Sequence, residues 1–246
     1  MYNDDALKLY LTAFPEDEPA FAEDFLNRFF ESSCRYIIKD GKLVSMLFLL
    51  DAVFTEKGRE QRGKYLYAAA TLPEYRGQGL MAQLIEKAKK ETAEKGMFLI
   101  TKPATKSLFD YYRRFGFKTA VYSKDCMVEL GDIAQPLKKL DREEYIRKRN
   151  ELLKNEAHIT LLDTKYAYSF FELFGGEKTV AAVDLSEDIP LVKEFISFED
   201  DGKDRLLSTL KKQKALFRLK GEDPFAMIIN TRETGREEIN FNIALD

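Results

Sequence analysis

The chain has 246 residues, 45% of them hydrophobic and 33% charged. This ordinary globular composition excludes a disordered chain, a collagen and a bundle of membrane spans. Its 39 Lys and Arg against 42 Asp and Glu leave a formal charge of −3, which argues against a broad nucleic-acid footprint.

The opening MYNDDALKLY has neither the basic nor the apolar region of a leader peptide. Asp4–Phe14 reads as a short helix with Asn3 or Asp4 at its N-cap, broken by Glu16-Asp17-Glu18-Pro19. Helical spacing resumes over Ala20–Glu31 through Phe21, Phe25 and Phe29. Arg35–Lys39 is β-rich, and Asp40-Gly41 is hairpin chemistry. Leu43–Thr55 reads as a long strand; its apolar part, Leu43–Phe54, is interrupted by Ser45 and Asp51 and is too short to span a bilayer. The expectation is a cytoplasmic protein without a membrane partner. Glu56–Gly63 reads as a polar turn and Lys64–Thr71 as a third strand.

Arg76-Gly77-Gln78-Gly79 leads straight into a helix over Leu80–Lys95, in which Met81, Leu84, Ile85, Ala88 and Thr92 form one apolar stripe. Gly96 suits the C′ position. Met97–Ile100 reads as a buried strand, Ser107–Phe115 as a second amphipathic helix ending in Gly116, and Phe117–Leu130 as a further strand. Gly131–Pro136 reads as a linker. The remainder predicts helices over Asp141–Asn155, Thr164–Phe174 and Lys203–Lys212, and strands over Thr179–Asp184, Leu191–Phe198, Ala215–Lys220, Phe225–Asn230 and Ile239–Leu245. This is a second half with the rhythm of the first.

Two cysteines, Cys34 and Cys126, and one histidine, His158, make no disulfide scaffold and no cluster at zinc-ligand spacing; no metal is expected. A lone histidine is more often structural or solvent-facing than catalytic. The cysteines lie beside apolar runs and read as inert packing residues.

The most informative stretch is Tyr65–Phe117. A strand ending at Thr71, a glycine-rich turn and a helix from about Gly79 aim backbone N–H groups and the positive helix end at one point, which is an anion site suited to phosphate. Gly77 and Gly79 permit close approach and unusual dihedrals, and Arg76 adds a cation. A Walker loop is absent, because no Gly-Lys-Ser/Thr follows. A dinucleotide fingerprint would place Ala82 at its last glycine and requires a second βα unit where the chain opens instead with an antiparallel meander.

Ala70-Thr71-Leu72-Pro73-Glu74-Tyr75-Arg76-Gly77-Gln78-Gly79-Leu80 resembles motif A of the GNAT superfamily of N-acetyltransferases, whose signature is Arg/Gln-x-x-Gly-x-Gly/Ala; Arg76 and Gly79 fit, and Met81 departs from Gly/Ala. Tyr111-Tyr112-Arg113-Arg114-Phe115-Gly116-Phe117 resembles the end of motif B, with Tyr112 as its tyrosine and Thr105 where an Asn is usual. Pro103-Ala104 and the long second half further resemble the tandem-GNAT "enhanced intracellular survival" subgroup without its C-terminal lipid-carrier-like domain.

The resemblance implies an α/β (α+β) GNAT fold with a mixed, mostly antiparallel sheet over residues 1–132, and a degenerate GNAT-like half over 133–246. It implies acetyl-CoA as cosubstrate, held by Ala70, Thr71, Leu72, Arg76, Gly77, Gln78, Gly79, Leu80 and Met81. A primary amine, small-molecule or peptide, would attack the thioester directly, with Tyr112 as general acid. A non-catalytic acyl-CoA-binding or regulatory module is the alternative. The subgroup's habit of assembling allows a homo-oligomer. In the second half, Glu199-Asp200-Asp201 would repel a pyrophosphate.

The general base stays open among Asp51, Glu56, Glu60 and a water chain, and Asp246 is set aside. Tyr65 and Tyr67 share a strand face and either line the acceptor site or pack against the first helices. Glu16, Asp17, Glu18, Glu23 and Asp24 either steer a cationic amine or form a solvated surface.

Overall fold

The structure, a computed structural model, describes residues 4–231 and 239–241. In chain order its elements are α1 (Asp4–Ala13), α2 (Pro19–Ser33), β1 (Cys34–Lys39), β2 (Lys42–Glu56), β3 (Arg59–Thr71), α3 (Leu80–Glu94), β4 (Phe98–Thr101), α4 (Lys106–Arg113), β5 (Lys118–Glu129), β6 (Lys138–Lys139), α5 (Arg142–Leu152), β7 (His158–Leu161), α6 (Thr164–Ala167), β8 (Glu172–Gly175), β9 (Thr179–Asp184), β10 (Leu191–Ser197), α7 (Gly202–Leu210), β11 (Lys214–Lys220) and β12 (Asp223–Ile229). This is a mixed α/β fold in which antiparallel pairings outnumber parallel ones. Among the described residues no helix is long and apolar enough to cross a membrane.

The chain divides into two compact units. The first comprises residues 1–53, 61–118 and 227–234; the second comprises 54–60, 119–226 and 235–246. Neither is a continuous half. β5, expected to close the first half, belongs to the second unit from Thr119 onward, and the end of β12 belongs to the first.

In the first unit the strand order is β1-β2-β3-β4-β12. β1 is antiparallel to β2. β3 runs parallel to β4 from Gly63↔Phe98 to Leu66↔Thr101. Met227, Ile228 and Ile229 of β12 cover the other edge of β4, antiparallel. α3 and α4 bury Leu84, Ile85, Ala88, Phe109 and Tyr112 against Leu47, Leu49, Leu66, Leu99 and Met227. α2 presents Ala22, Phe25, Leu26 and Phe29 at helical spacing to the opposite face, where Phe25 meets Phe48 edge-on, ring centroids 4.7 Å apart. Each such fully buried large apolar side chain contributes about 1.5–3 kcal/mol. β2 is buried without alternation from Leu43 to Leu50, because helices cover both of its faces.

The expected polar turn at Glu56–Gly63 is largely strand. Only Lys57 and Gly58 form the turn, both with positive φ, and β3 begins at Arg59. Its charged residues alternate outward while Gln61, Gly63 and Tyr65 point inward. Gly63 is glycine for want of space: a Cβ there would lie 2.3 Å from the Phe98 ring.

The second unit has the order β5-β11-β10-β9-β8-β6. β8 and β9 are antiparallel, β9 and β10 likewise, β10 and β11 are parallel across α7, and β5 lies antiparallel against β11. Its core joins Leu206 and Leu207 of α7 to Val183, Val192, Ala215 and Phe217. Arg149, 1% exposed, pairs through Nε with both oxygens of Glu194, 2% exposed, at 3.0 and 2.9 Å. Tyr145 donates to the same carboxylate at 2.9 Å, and Arg149 also donates to Thr160 Oγ1 and Ile159 O. Burial alone would lower the Arg149 pKa; the adjacent Glu194 carboxylate outweighs it and raises it.

The helix expected over Thr164–Phe174 is one turn, capped by the Asp163 carboxylate, followed by β8 in register with β9. β6 and β7 were not expected. The strand expected over Ile239–Leu245 is described only to Phe241, with Asn240 bridging to His158; residues 242–246, Asp246 included, and Asn3 lie outside the described residues.

Two predictions follow from this packing. Gly63→Ala forces a Cβ into the Phe98 ring, and overpacking of this kind costs about 2 kcal/mol; calorimetry should show Tm lower by about 4–8 °C. A fragment ending at Asp132 loses the strand that covers β4 and leaves the core without Met227. It should show no cooperative thermal transition by circular dichroism; a cooperative melt would mean that the first unit closes without β12.

Candidate active site

β3 ends at Thr71, and Pro73–Tyr75 form a single 3₁₀ turn. Gly77 and Gly79 follow with φ of 76° and 74°. Nothing lies within 4 Å of a Cβ built on either, so glycine is required there for the left-handed backbone, which would cost another residue about 1–2 kcal/mol. Gly79 is the N-cap of α3, and no side chain bonds its first-turn amides. Those N–H groups carry the positive end of a fifteen-residue helix. They open on a cleft of about 450 Å³.

Thr71, Arg76, Gly77, Gly79, Leu80 and Met81 line this cleft, and sequence reasoning had named all six. Ala70, Leu72 and Gln78, also named, are not in its lining. Leu72 N–H donates to Val44 O at 3.0 Å, and Ala70 O accepts from Ser45 Oγ at 3.2 Å. Their polar groups therefore turn toward β2, and strand alternation gives the other side to Ala69 and Thr71. Gln78 Oε1 accepts from Lys39 Nζ at 2.8 Å. Arg76 is exposed, with Nε donating to Thr71 O. Tyr75, Ala82, Tyr111, Arg114 and Phe115 complete the wall and were missed. For the last three the signal was present in the helical spacing of Tyr111, Arg114 and Phe115. The Arg114 guanidinium stacks 4.7 Å over the Tyr111 ring.

The sheet forks beside this cleft. The β3–β4 register ends at Leu66↔Thr101, while β3 continues to Thr71. Two residues beyond the fork, Ala68 has φ 47°, a left-handed conformation that costs a non-glycine residue on the order of 1 kcal/mol. Leu66 and Ala69 consequently pack on the same core, three positions apart, where an unbroken strand would place residues two apart. No feature of the sequence marks this bulge.

Tyr112, 5% exposed, packs its ring edge-on to Tyr111 and Phe117. Its hydroxyl lies near Thr101, the β4 residue at the fork. Thr101 Oγ1 donates to Leu66 O at 3.1 Å. Burial pushes the phenol up to about 12, with Tyr111 adding to the rise and Thr101 opposing it. It stays protonated at neutral pH, which suits a proton donor and not a base. Thr105, in place of the motif's Asn, is the N-cap of α4, its hydroxyl 3.0 Å from that of Ser107.

Among the acids left open, Asp51 pairs with Lys64 at 2.8 Å. Glu16, Glu18, Glu23 and Asp24 are exposed, whereas Asp17 is half-buried and accepts from the Tyr10 hydroxyl at 2.9 Å. His158 is buried, with Nδ1 against Glu156 O at 2.9 Å; burial lowers its pKa, so it is a neutral structural histidine. Cys34 is buried, and its thiol is pushed up to about 12. No group of three or more His, Cys, Asp or Glu able to hold a metal ion occurs among the described residues.

The second unit repeats the strand–turn–helix but fills it with its own side chains. After β10, the Glu199 carboxylate accepts from Thr179 Oγ1 at 2.6 Å and from Arg205 at 2.8 Å, and a Cβ on Gly202 would lie 2.2 Å from Ser197 Oγ.

The family model described as Acetyltransferase (GNAT) domain matches residues 2–120. No curated protein sequence matches the chain. Among solved structures it is similar to a GCN5-related N-acetyltransferase from Kribbella flavida, with 16% identity over 92% of this chain and 68% of that one and a TM-score of 0.72. A probable N-acyltransferase from Enterococcus faecalis gives 12% identity, coverage of 91% and 69% and a TM-score of 0.71. Eis1 from Mycobacterium abscessus gives 11%, 89% and 62%, and 0.61. At these identities the structures show the fold alone. Residues 2–120 thus match the model of a GNAT acetyltransferase domain, within a chain that has the fold of the GCN5-related N-acetyltransferases.

Proposed function

We propose that the protein is a cytoplasmic N-acetyltransferase that moves the acetyl group of acetyl-CoA to a primary amine. The observation that carries this reading is the uncapped start of α3, held open by Gly77 and Gly79 on a cleft beside the fork of β3 and β4. The amides from Gly77 to Met81 and the Arg76 and Arg114 cations would hold the pyrophosphate of this co-substrate. Ala69 and Thr71 would offer their backbone groups to its pantetheine arm as a strand edge does. The thioester comes already activated, so attack by the amine needs no metal. Tyr112 would supply a proton or hydrogen bond to the departing thiolate.

The second unit, with the same β-β-β-α-β order as the first, reads as a degenerate GNAT-like half. The Glu199 carboxylate, which precedes α7 and is paired with Arg205, supports a unit that does not bind CoA. A non-catalytic acyl-CoA-binding module is the second reading of the protein. What favours it is that Tyr112 lies outside the cleft lining, its ring packed edge-on to Tyr111 and Phe117.

Isothermal titration with acetyl-CoA should give micromolar binding, abolished by Gly79→Glu with its thermal transition retained. Absence of binding to the wild type would overturn both readings. With a panel of primary amines, Tyr112→Phe should lower kcat by about 10²-fold or more at unchanged acetyl-CoA affinity. Binding without turnover of any amine by the wild type would leave the module reading.

A further inference from the structure

The site described so far has a donor for the leaving group and nothing to take the proton of the incoming amine. A second group of buried titratable side chains lies on the opposite face of β3. Successive strand residues point to opposite faces. Leu66 packs on the core that holds Tyr112, and Tyr67, immediately after it, packs edge-on to Phe25 of α2, centroids 5.3 Å apart. Tyr67 is the first β3 residue past the fork and the last before the strained Ala68. The Tyr65 ring stands 5.8 Å away.

The Tyr67 hydroxyl is 3.5 Å from that of Tyr10, and Tyr10 donates to Asp17 Oδ2 at 2.9 Å. With the Tyr10 proton committed to Asp17, Tyr67 is the donor toward Tyr10. The chain of hydroxyls therefore has one polarity, from Tyr67 through Tyr10 to the carboxylate. Tyr10 is fully buried, whereas Tyr67 and Asp17 are half-buried. A 3.5 Å contact is loose for a hydroxyl pair; such bonds tighten when a substrate is bound.

Resting on the acyl-transfer reading above, we propose that Tyr67 receives the acceptor ammonium at the fork and that Tyr10 and Asp17 relay its proton. In this step one N–H bond of the ammonium breaks and the proton passes to Tyr67 Oη. The proton of Tyr67 passes to Tyr10 Oη, and that of Tyr10 passes to Asp17 Oδ2. A cation and a carboxylate become a neutral amine and a carboxylic acid, and both phenols end as they began. Half-buried Asp17 returns the proton to solvent.

The electrostatics agree with this direction. Burial, then Tyr67, then Asp17 push the Tyr10 phenol far above its ordinary value, so no phenolate forms along the way and the negative charge resides on Asp17. Burial raises the Asp17 carboxyl, the hydrogen bond from Tyr10 opposes this, and Glu16 on the same loop adds to the rise. Tyr10 and Glu16 are the titratable groups that act on Asp17, and a raised carboxyl is a better proton acceptor. On this reading Tyr67 is catalytic, and Tyr10 and Asp17 are positioning and relay residues.

The test measures CoA release with spermidine, lysine methyl ester and kanamycin as probes, from about pH 6 to about pH 10, alongside acetyl-CoA titration and Tm. Asp17→Asn, Tyr10→Phe and Tyr67→Phe should each lower kcat/KM for the amine at neutral pH by about 10²-fold. They should leave acetyl-CoA affinity unchanged and displace the rise of rate with pH toward the ordinary amine value of about 10.4. Asp17→Glu should recover part of the loss. A pH profile for Asp17→Asn that superimposes on the wild type would overturn the relay, as would a pH-independent loss that tracks a fall in Tm. Failure of the acyl-transfer reading itself would appear in the wild type, as no acetyl-CoA binding or no CoA release with any probe, and the relay would fall with it.

Discussion

The parting of β3 from β4 after Leu66 and Thr101 is the constraint on which the site depends. A parallel pair that stayed in register would satisfy its own backbone groups and leave nothing for a ligand. Here β3 runs five residues past its last partner, and Ala68 in the left-handed region shifts the alternation. The strain is held because both sides of the bulge are anchored: Leu66 and Ala69 in the core beneath α3 and α4, and Ala70 and Leu72 on β2 through Ser45 and Val44. The strand can then neither slide back against β4 nor relax the bulge, which is how an open edge survives in the middle of a packed sheet.

The two units differ at the turn before their helix. Both run three antiparallel-connected strands, a helix and a parallel return, and each is closed by a strand from a distant part of the chain: Met227–Ile229 on β4, and β5 on β11. In the first unit, two left-handed glycines lead into α3 with no side chain on its amides. In the second, Glu199 stands before α7 already neutralised by Arg205 and bonded to Thr179. An anion approaching there would have to displace a carboxylate that has its own cation, at a half-buried position where that pair is worth more than on the open surface. The same architecture therefore carries opposite electrostatic outcomes, decided by a few residues at the turn.

Much of this was legible in the sequence where the pattern was long and local. The stripe Leu84, Ile85, Ala88 and Thr92 is buried as its periodicity requires, and six of the nine residues named around Arg76-Gly77-Gln78-Gly79 line one cleft. Three kinds of feature were not legible. Gly63 and its charged neighbours have turn composition, yet the glycine is dictated by the Phe98 ring across the sheet, a contact 35 positions away in sequence. Phe170, Phe171 and Phe174 have helical spacing, but Phe174 is paired to Ala181 on β9, and tertiary pairing overrode local propensity. The exchange of closing strands leaves no local signature at all, since strand pairing across 85 to 130 residues is set by which edge remains open.

The fork also fixes how protons would move during direct transfer. On the α3 face, a phenol held at about 12 would lose about 5 kcal/mol by giving its proton outright to a thiolate whose conjugate acid titrates near 8.5. Thr101 beside it has its own proton on Leu66 O and cannot replace the one given. On the proposed acyl transfer, Tyr112 would serve as a hydrogen-bond donor to the developing negative charge, a role for which a high pKa and a fixed position are advantages, while the full proton would reach sulfur from solvent on release. On the α2 face the demand is opposite. The proton must leave the ammonium completely before nitrogen can attack, and a hydroxyl chain alone has nowhere to put it. On the proposed relay, the carboxylate at the end of the Tyr67–Tyr10–Asp17 chain would take that proton in passing and release it to solvent. The two faces of β3 would then differ in chemistry because one has a carboxylate at its far end and the other a buried phenol.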